Sequence, residues 1–194
     1  MGYSVDSGSF STWSIVSGAL PMQTNAVTAS AISGHQTGWV GNSSYSPTKY
    51  PVIYGGVAYS ASTDYTTGNR IWLGLSSCTG TTLTGSANPN CHVAAIRYDT
   101  SASDSTYMCY AATTSSAYTA TAITGATPAT AFTTWSVTVN ASGVTCTVGS
   151  NSVTVATNTP TATLSSFMLN TPLTNAVTNI RTNGWIGYYQ NGLY

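Results

Sequence analysis

The chain contains no glutamate, and its only acids are Asp6, Asp64, Asp99 and Asp104. Glycoside hydrolysis ordinarily needs two carboxylates held about 5–5.5 or 6.5–9.5 Å apart. Four aspartates on separate segments offer one close pair in sequence, Asp99 and Asp104, and a turn between them makes both acceptors for backbone N–H groups. A glycosidase is therefore not expected. Cations are as scarce: Lys49, Arg70, Arg97 and Arg181 are all there are. A nucleic-acid partner would need several to displace counterions from phosphates, and these four are scattered. No apolar run is long enough to cross a membrane, and the first residues have neither the basic nor the apolar region of a signal peptide. Met-Gly-Tyr-Ser-Val-Asp places Asp6 where a myristoylation signal wants Ser or Thr. Charged residues make up 4% of the chain, against about 25% in ordinary soluble domains. Zero net charge removes self-repulsion, and charge depletion is a property of buried interfaces, so a homo-oligomer or an assembly component is expected.

Cysteine and histidine are few. Cys78, Cys91, Cys109 and Cys146 form no C-x-x-C, and His35 and His92 stand at no zinc-binding spacing. No metal or other cofactor is expected. Cys78 and Cys91 flank a polar stretch, and a bridge there would stabilise by roughly 3 kcal/mol in the chain-entropy model. Cys109 and Cys146 would then be left to pair across strands; the alternative for all four is a reduced, buried thiol. A Ser or Cys nucleophile needs a base beside it, but His92 adjoins Cys91 in a run that reads as a strand, where neighbours face opposite ways. No phosphate loop, dinucleotide fingerprint or EF-hand is present.

What the chain does have is β-forming material in a length suited to one domain spanning 1–194: 42% hydrophobic residues, thirteen tyrosines and five tryptophans. From Phe132 to Thr157 the pattern has period two. Trp135, Val137 and Val139 alternate with Ser136 and Thr138; Val144, Cys146 and Val148 follow a turn at 140–143; Val153 and Val155 follow a turn at 149–151. This spacing predicts a three-stranded antiparallel meander buried on one side. Further strands are expected at 10–16, 26–32, 52–54, 57–59, 70–75, 91–98, 107–110, 167–169 and 180–189, with a polar loop at 79–90. Residues 111–131 are rich in Ala and Thr and predict no clear element. About a dozen short strands without an amphipathic helix predict an all-β, two-sheet antiparallel sandwich.

Trp39, Tyr45, Tyr50, Tyr54 and Tyr59 crowd a turn-rich segment. Aromatic rings among Asn, Gln, Ser and Thr suit a sugar's alternating apolar and hydroxyl faces, which makes these five the candidate ligand-binding residues. The same spacing fits packing in a core or a subunit interface. Asn42-Ser-Ser44 and Asn140-Ala-Ser142 match the N-glycosylation acceptor pattern.

Arg70-Ile-Trp-Leu-Gly-Leu75, then His92 to Thr100, Trp135-Ser-Val-Thr-Val-Asn140, Gly143 to Val148 and Val153 to Thr157 together resemble the concanavalin A-like, laminin-G-like jelly-roll modules of bacteriophage virion proteins. The match covers about residues 70–190. The resemblance implies a jelly roll displayed on a virion surface, made in the host cytoplasm, with a trimer favoured as the homo-oligomer: a non-enzymatic capsid decoration or head-fibre subunit with major capsid or tail proteins as partners. Its alternative is a receptor-binding tail-fibre module that takes a host surface glycan. The acidic cluster of the family's glycosidases has no counterpart here, so the expectation is that the protein is not an enzyme.

Overall fold

Alternation of apolar and polar residues sorts this chain into two sheets. The computed structural model describes residues 20–23, 33–37, 45–59, 61–66, 68–78, 80–173 and 179–188. These hold twelve strands: β1 (Leu20–Gln23), β2 (Ser33–Thr37), β3 (Pro51–Tyr59), β4 (Asn69–Ser76), β5 (Val93–Asp99), β6 (Met108–Ala112), β7 (Tyr118–Ala122), β8 (Thr133–Asn140), β9 (Gly143–Val148), β10 (Asn151–Val155), β11 (Ser165–Pro172) and β12 (Asn179–Tyr188). One six-stranded sheet runs β1-β12-β3-β8-β9-β10 and the other β2-β11-β4-β5-β6-β7. Every pairing within them is antiparallel. The fold is a jelly-roll β-sandwich.

Between the sheets lies the main core. Val137, Val144 and Cys146 from the first sheet meet Ile71, Leu73, Ile96 and Cys109 from the second, all fully buried. On the first sheet these are the apolar half of alternating strands, so burial of one face fixes their register; β4 and β5 are buried on both faces. Cys109 and Cys146 are joined across the two sheets, with Cα atoms 5.4 Å apart.

Local structure departs from the sequence reading at three places. Residues 51–59 form one strand, because Gly55 and Gly56 sit in ladder register opposite Gly184 and Asn183 and do not turn the chain. Residues 118–122 add β7 beside β6; Thr and Ala there follow no apolar period, and pairing supplies what the local pattern does not. Two short helices interrupt the strands, α1 (Thr63–Thr66) and α2 (Gly80–Gly85), and the second makes the stretch 79–90 more than a loop, with Leu83 fully buried. The expected strands at 10–16 and 26–32 lie outside the described residues.

Helix α2 determines which surface stays open. Trp72, Val93, Ala95, Tyr110, Phe167 and Leu169 point away from the main core, yet Leu83 and Cys78 pack over them as a second apolar cluster. The Cys78–Cys91 disulfide, Cα atoms 5.8 Å apart, pins both ends of the covering segment. Arg97 ties it from below, donating to the Ala87 carbonyl at 2.8 Å. The outer face of the β4–β5 sheet is thus closed.

Candidate functional site: the outer face of the β3–β8–β9–β10 sheet

Over β8, β9, β10 and the Pro51–Gly55 part of β3 no comparable cover lies among the described residues, whereas Ala58, on the same outward side of β3, is 1% exposed. The outward positions of this open part are the polar half of the alternation. The ladder aligns them into two rows across four strands: Val52, Thr138, Thr145 and Thr154 in one, and Tyr54, Ser136, Thr147 and Ser152 in the other. Neighbouring strands are about 4.8 Å apart, so each row presents hydroxyls at short, regular intervals. They bond to one another: Thr145 and Thr154 hydroxyls are 2.9 Å apart, and Thr147 donates to Ser152 at 3.1 Å.

Where β8 ends, the first row runs into a shallow groove of about 630 Å³ lined by Tyr50, Val52, Thr138, Asn140, Thr145 and Thr154, among others. Asn140 shapes it. Its side-chain oxygen accepts from the Ser142 N–H at 2.8 Å, closing the β8–β9 turn, and its amide donates to the Thr145 hydroxyl at 3.1 Å. The Nδ2 atom that a glycan would occupy is the one that donates to Thr145. Tyr50 reaches the groove because it ends the 3-10 turn at Pro47–Lys49 in a left-handed conformation, φ +51°.

The five aromatic candidates divide. Tyr54 is 47% exposed on the open face, and Tyr50 lines the groove. Tyr59 is fully buried: it lies five residues from Tyr54 on one strand, an odd spacing that sends it to the opposite face. There its ring meets Tyr65 edge-on, centroids 5.1 Å apart. Tyr45 is also buried, paired by two backbone bonds with Leu164 at 2.7 and 2.9 Å. These two are core residues, which corrects their place in the ligand patch. Trp39 lies outside the described residues. The threonines and Asn140 of the groove were legible only as the polar half of a strand pattern, with no feature in sequence to say that their face is open.

The described aspartates are all occupied elsewhere. Asp64 is buried and accepts from the Ala61 N–H at 2.8 Å. Asp99 pairs with Arg70 at 2.6 Å and Asp104 with Arg97 at 2.9 Å, in both cases buried. Both aspartates also accept backbone N–H bonds, from Ser101 and Asp99 respectively. Cys91 is in a disulfide, and His92 Nδ1 accepts from the Thr161 N–H at 3.3 Å. Among the described residues no group of three His, Cys, Asp or Glu could hold a metal. What this surface offers is phenol, hydroxyl and amide.

Fold and open face together define the class: a concanavalin A-like jelly roll with one solvent-facing sheet. Solved structures sharing this fold include a family 7 alginate lyase, A1-II′, at TM-score 0.60 and 8% identity, covering 91% of this chain and 81% of that one. The polysaccharide lyase family 18 enzyme aly-SJ02 matches at TM-score 0.55 and 12% identity, over 91% of this chain and 90% of its own. LamAcat from Zobellia galactanivorans matches at TM-score 0.55 and 12% identity, over 90% and 78%. No protein-family model and no curated protein matches the chain.

These neighbours overturn two expectations: that the chain is a non-enzymatic virion surface protein, with a tail-fibre binding module as alternative, and that it is not an enzyme. Structures that superpose over about nine tenths of the chain include alginate and polysaccharide lyases, with a sialidase among the others. The physical reason for the error is that W-x-V-x-V and its turns encode a strand packed on one face, whatever the other face does. Those motifs carry fold and leave function open.

Proposed function

We propose that this protein is a polysaccharide-degrading enzyme of the lyase type, taking its polymer across the open face of the β3–β8–β9–β10 sheet. The observation that carries the reading is an exposed Tyr54 beside two hydroxyl rows, on a face whose described residues include no carboxylate. An aromatic ring stacks on a sugar's apolar face while hydroxyls and amides exchange hydrogen bonds with its edge.

The lack of carboxylates argues against two-carboxylate hydrolysis and fits elimination. In β-elimination a base takes the proton on the carbon bearing a uronate carboxylate. Those electrons form a carbon–carbon double bond as the bond to the leaving sugar oxygen breaks, and that oxygen takes a proton. The enzyme must supply a proton acceptor and donor and something to neutralise the carboxylate. Tyrosine can fill the first role, and Tyr54 is the candidate. For the second, Arg181 on the adjacent strand is the candidate, as the one cation among the strands of this sheet, in register with Ala58. Fold neighbours whose names record alginate or polysaccharide lyase activity support the reading.

The test is incubation of the purified protein with uronate-containing polysaccharides, following the ultraviolet absorbance of the unsaturated product. New reducing ends without that absorbance would indicate hydrolysis and overturn the proposal.

A further inference from the structure

We infer that the natural polymer is a mixed polysaccharide, in which acidic sugars are separated by neutral ones, and not a homopolymer of uronates. The inference rests on the lyase reading for its cleavage step and on charge for its specificity.

A homopolyuronate carries one carboxylate per sugar, and each one taken out of water needs a cation or dense hydrogen bonding. This chain has four cations. Arg70 and Arg97 are buried and committed to Asp99 and Asp104 on the other sheet. Lys49 is exposed in the turn beside Tyr50 but does not line the groove. Arg181 is the fourth. It stands opposite Ala58, six residues along β3 from Val52, which places it roughly 20 Å from the groove by strand rise. By position along the strand, Arg181 is the cation of this sheet left to meet an acidic sugar, away from the groove. A sugar in the groove meets Tyr50, Val52, Thr138, Asn140, Thr145 and Thr154, all uncharged. The Thr145 and Thr154 hydroxyls, 2.9 Å apart, and the Asn140 amide, 3.1 Å from Thr145, are matched to sugar hydroxyls, which donate and accept as they do.

The experiment compares product formation on alginate and polygalacturonate with that on gellan and glucuronoxylan, and measures retention of the protein on each polymer by affinity electrophoresis at low and high salt. The inference predicts kcat/KM at least about tenfold higher on a mixed polymer, retention that salt barely weakens, and a Thr145→Lys variant that gains on the homopolymers. Equal or better cleavage of a homopolyuronate by the unaltered protein overturns it, as does salt-sensitive retention on that polymer alone. Salt-resistant retention on a mixed polymer without unsaturated product sinks the lyase reading and leaves the groove assignment standing. Neither retention nor product on any polymer overturns both.

Discussion

Arg97 of β5 holds both carboxylate oxygens of Asp104 at 2.9 Å while its guanidinium lies 5.2 Å from the Tyr110 ring and 5.9 Å from that of Trp72. The cation is therefore paired, stacked and bonded to the Ala87 carbonyl beneath the α2 cover. Asp104→Ala leaves it buried without its counter-ion, a loss expected to cost about 3–5 kcal/mol. Urea unfolding should show it, and amide exchange should quicken first at 86–88, where Arg97 grips the cover.

The two disulfides differ in how much chain they close. Cys109–Cys146 spans 37 positions and Cys78–Cys91 spans 13. In the chain-entropy model the first stabilises by about 4 kcal/mol and the second by about 3. A Cys109→Ala/Cys146→Ala protein should melt below a Cys78→Ala/Cys91→Ala one. The reverse order would mean that the α2 cover contributes more than loop closure.

Gly143, at φ +126°, begins β9 where β10 passes close by: a Cβ there would overlap the Val155 carbonyl oxygen and lie 2.8 Å from Ala156 Cα. Both obstacles are backbone. Gly143→Ala should lose more than about 1 kcal/mol, read as a lower melting temperature, and should weaken polymer retention because Thr145 and Thr154 sit on this hairpin.

Alkali should unfold the protein through its tyrosines. Burial raises the phenol pKa of Tyr59, Tyr98, Tyr107 and Tyr110, with Arg97 partly opposing it at Tyr110. Unfolded tyrosines release their protons near pH 10. Between that value and the raised folded ones the native state binds more protons, so stability is full below about pH 10 and falls as pH rises. Circular dichroism across this range should show loss of structure coinciding with tyrosinate absorbance at these residues.

On the open face, Tyr54→Phe removes a hydroxyl and keeps the ring. If Tyr54 moves a proton, kcat should drop about 10²–10⁴-fold with KM little changed. Tyr54→Ala should raise KM as well. An unchanged kcat for Tyr54→Phe would assign the residue to stacking alone.

Much of the fold was written in local pattern. Trp135, Val137 and Val139 alternate with hydroxyl residues, and a period of two can bury only one side of a strand, so the meander and its core face followed from sequence alone. Local pattern could not say that Tyr54 and Tyr59, close in a tyrosine-rich segment, would part to opposite faces, because that depends on 51–59 being a single strand. Nor could it say which sheet stays open. Outward Trp72, Tyr110 and Phe167 became core only because a disulfide-pinned segment from 78–91 folds over them, and Asp99 and Asp104 were spent on arginines that long-range pairing brought alongside. Sequence determined that this chain builds a two-sheet sandwich short of charge. Tertiary structure decided where its few charges went and which hydroxyl rows remained for a ligand, since both depend on contacts between segments far apart in the chain.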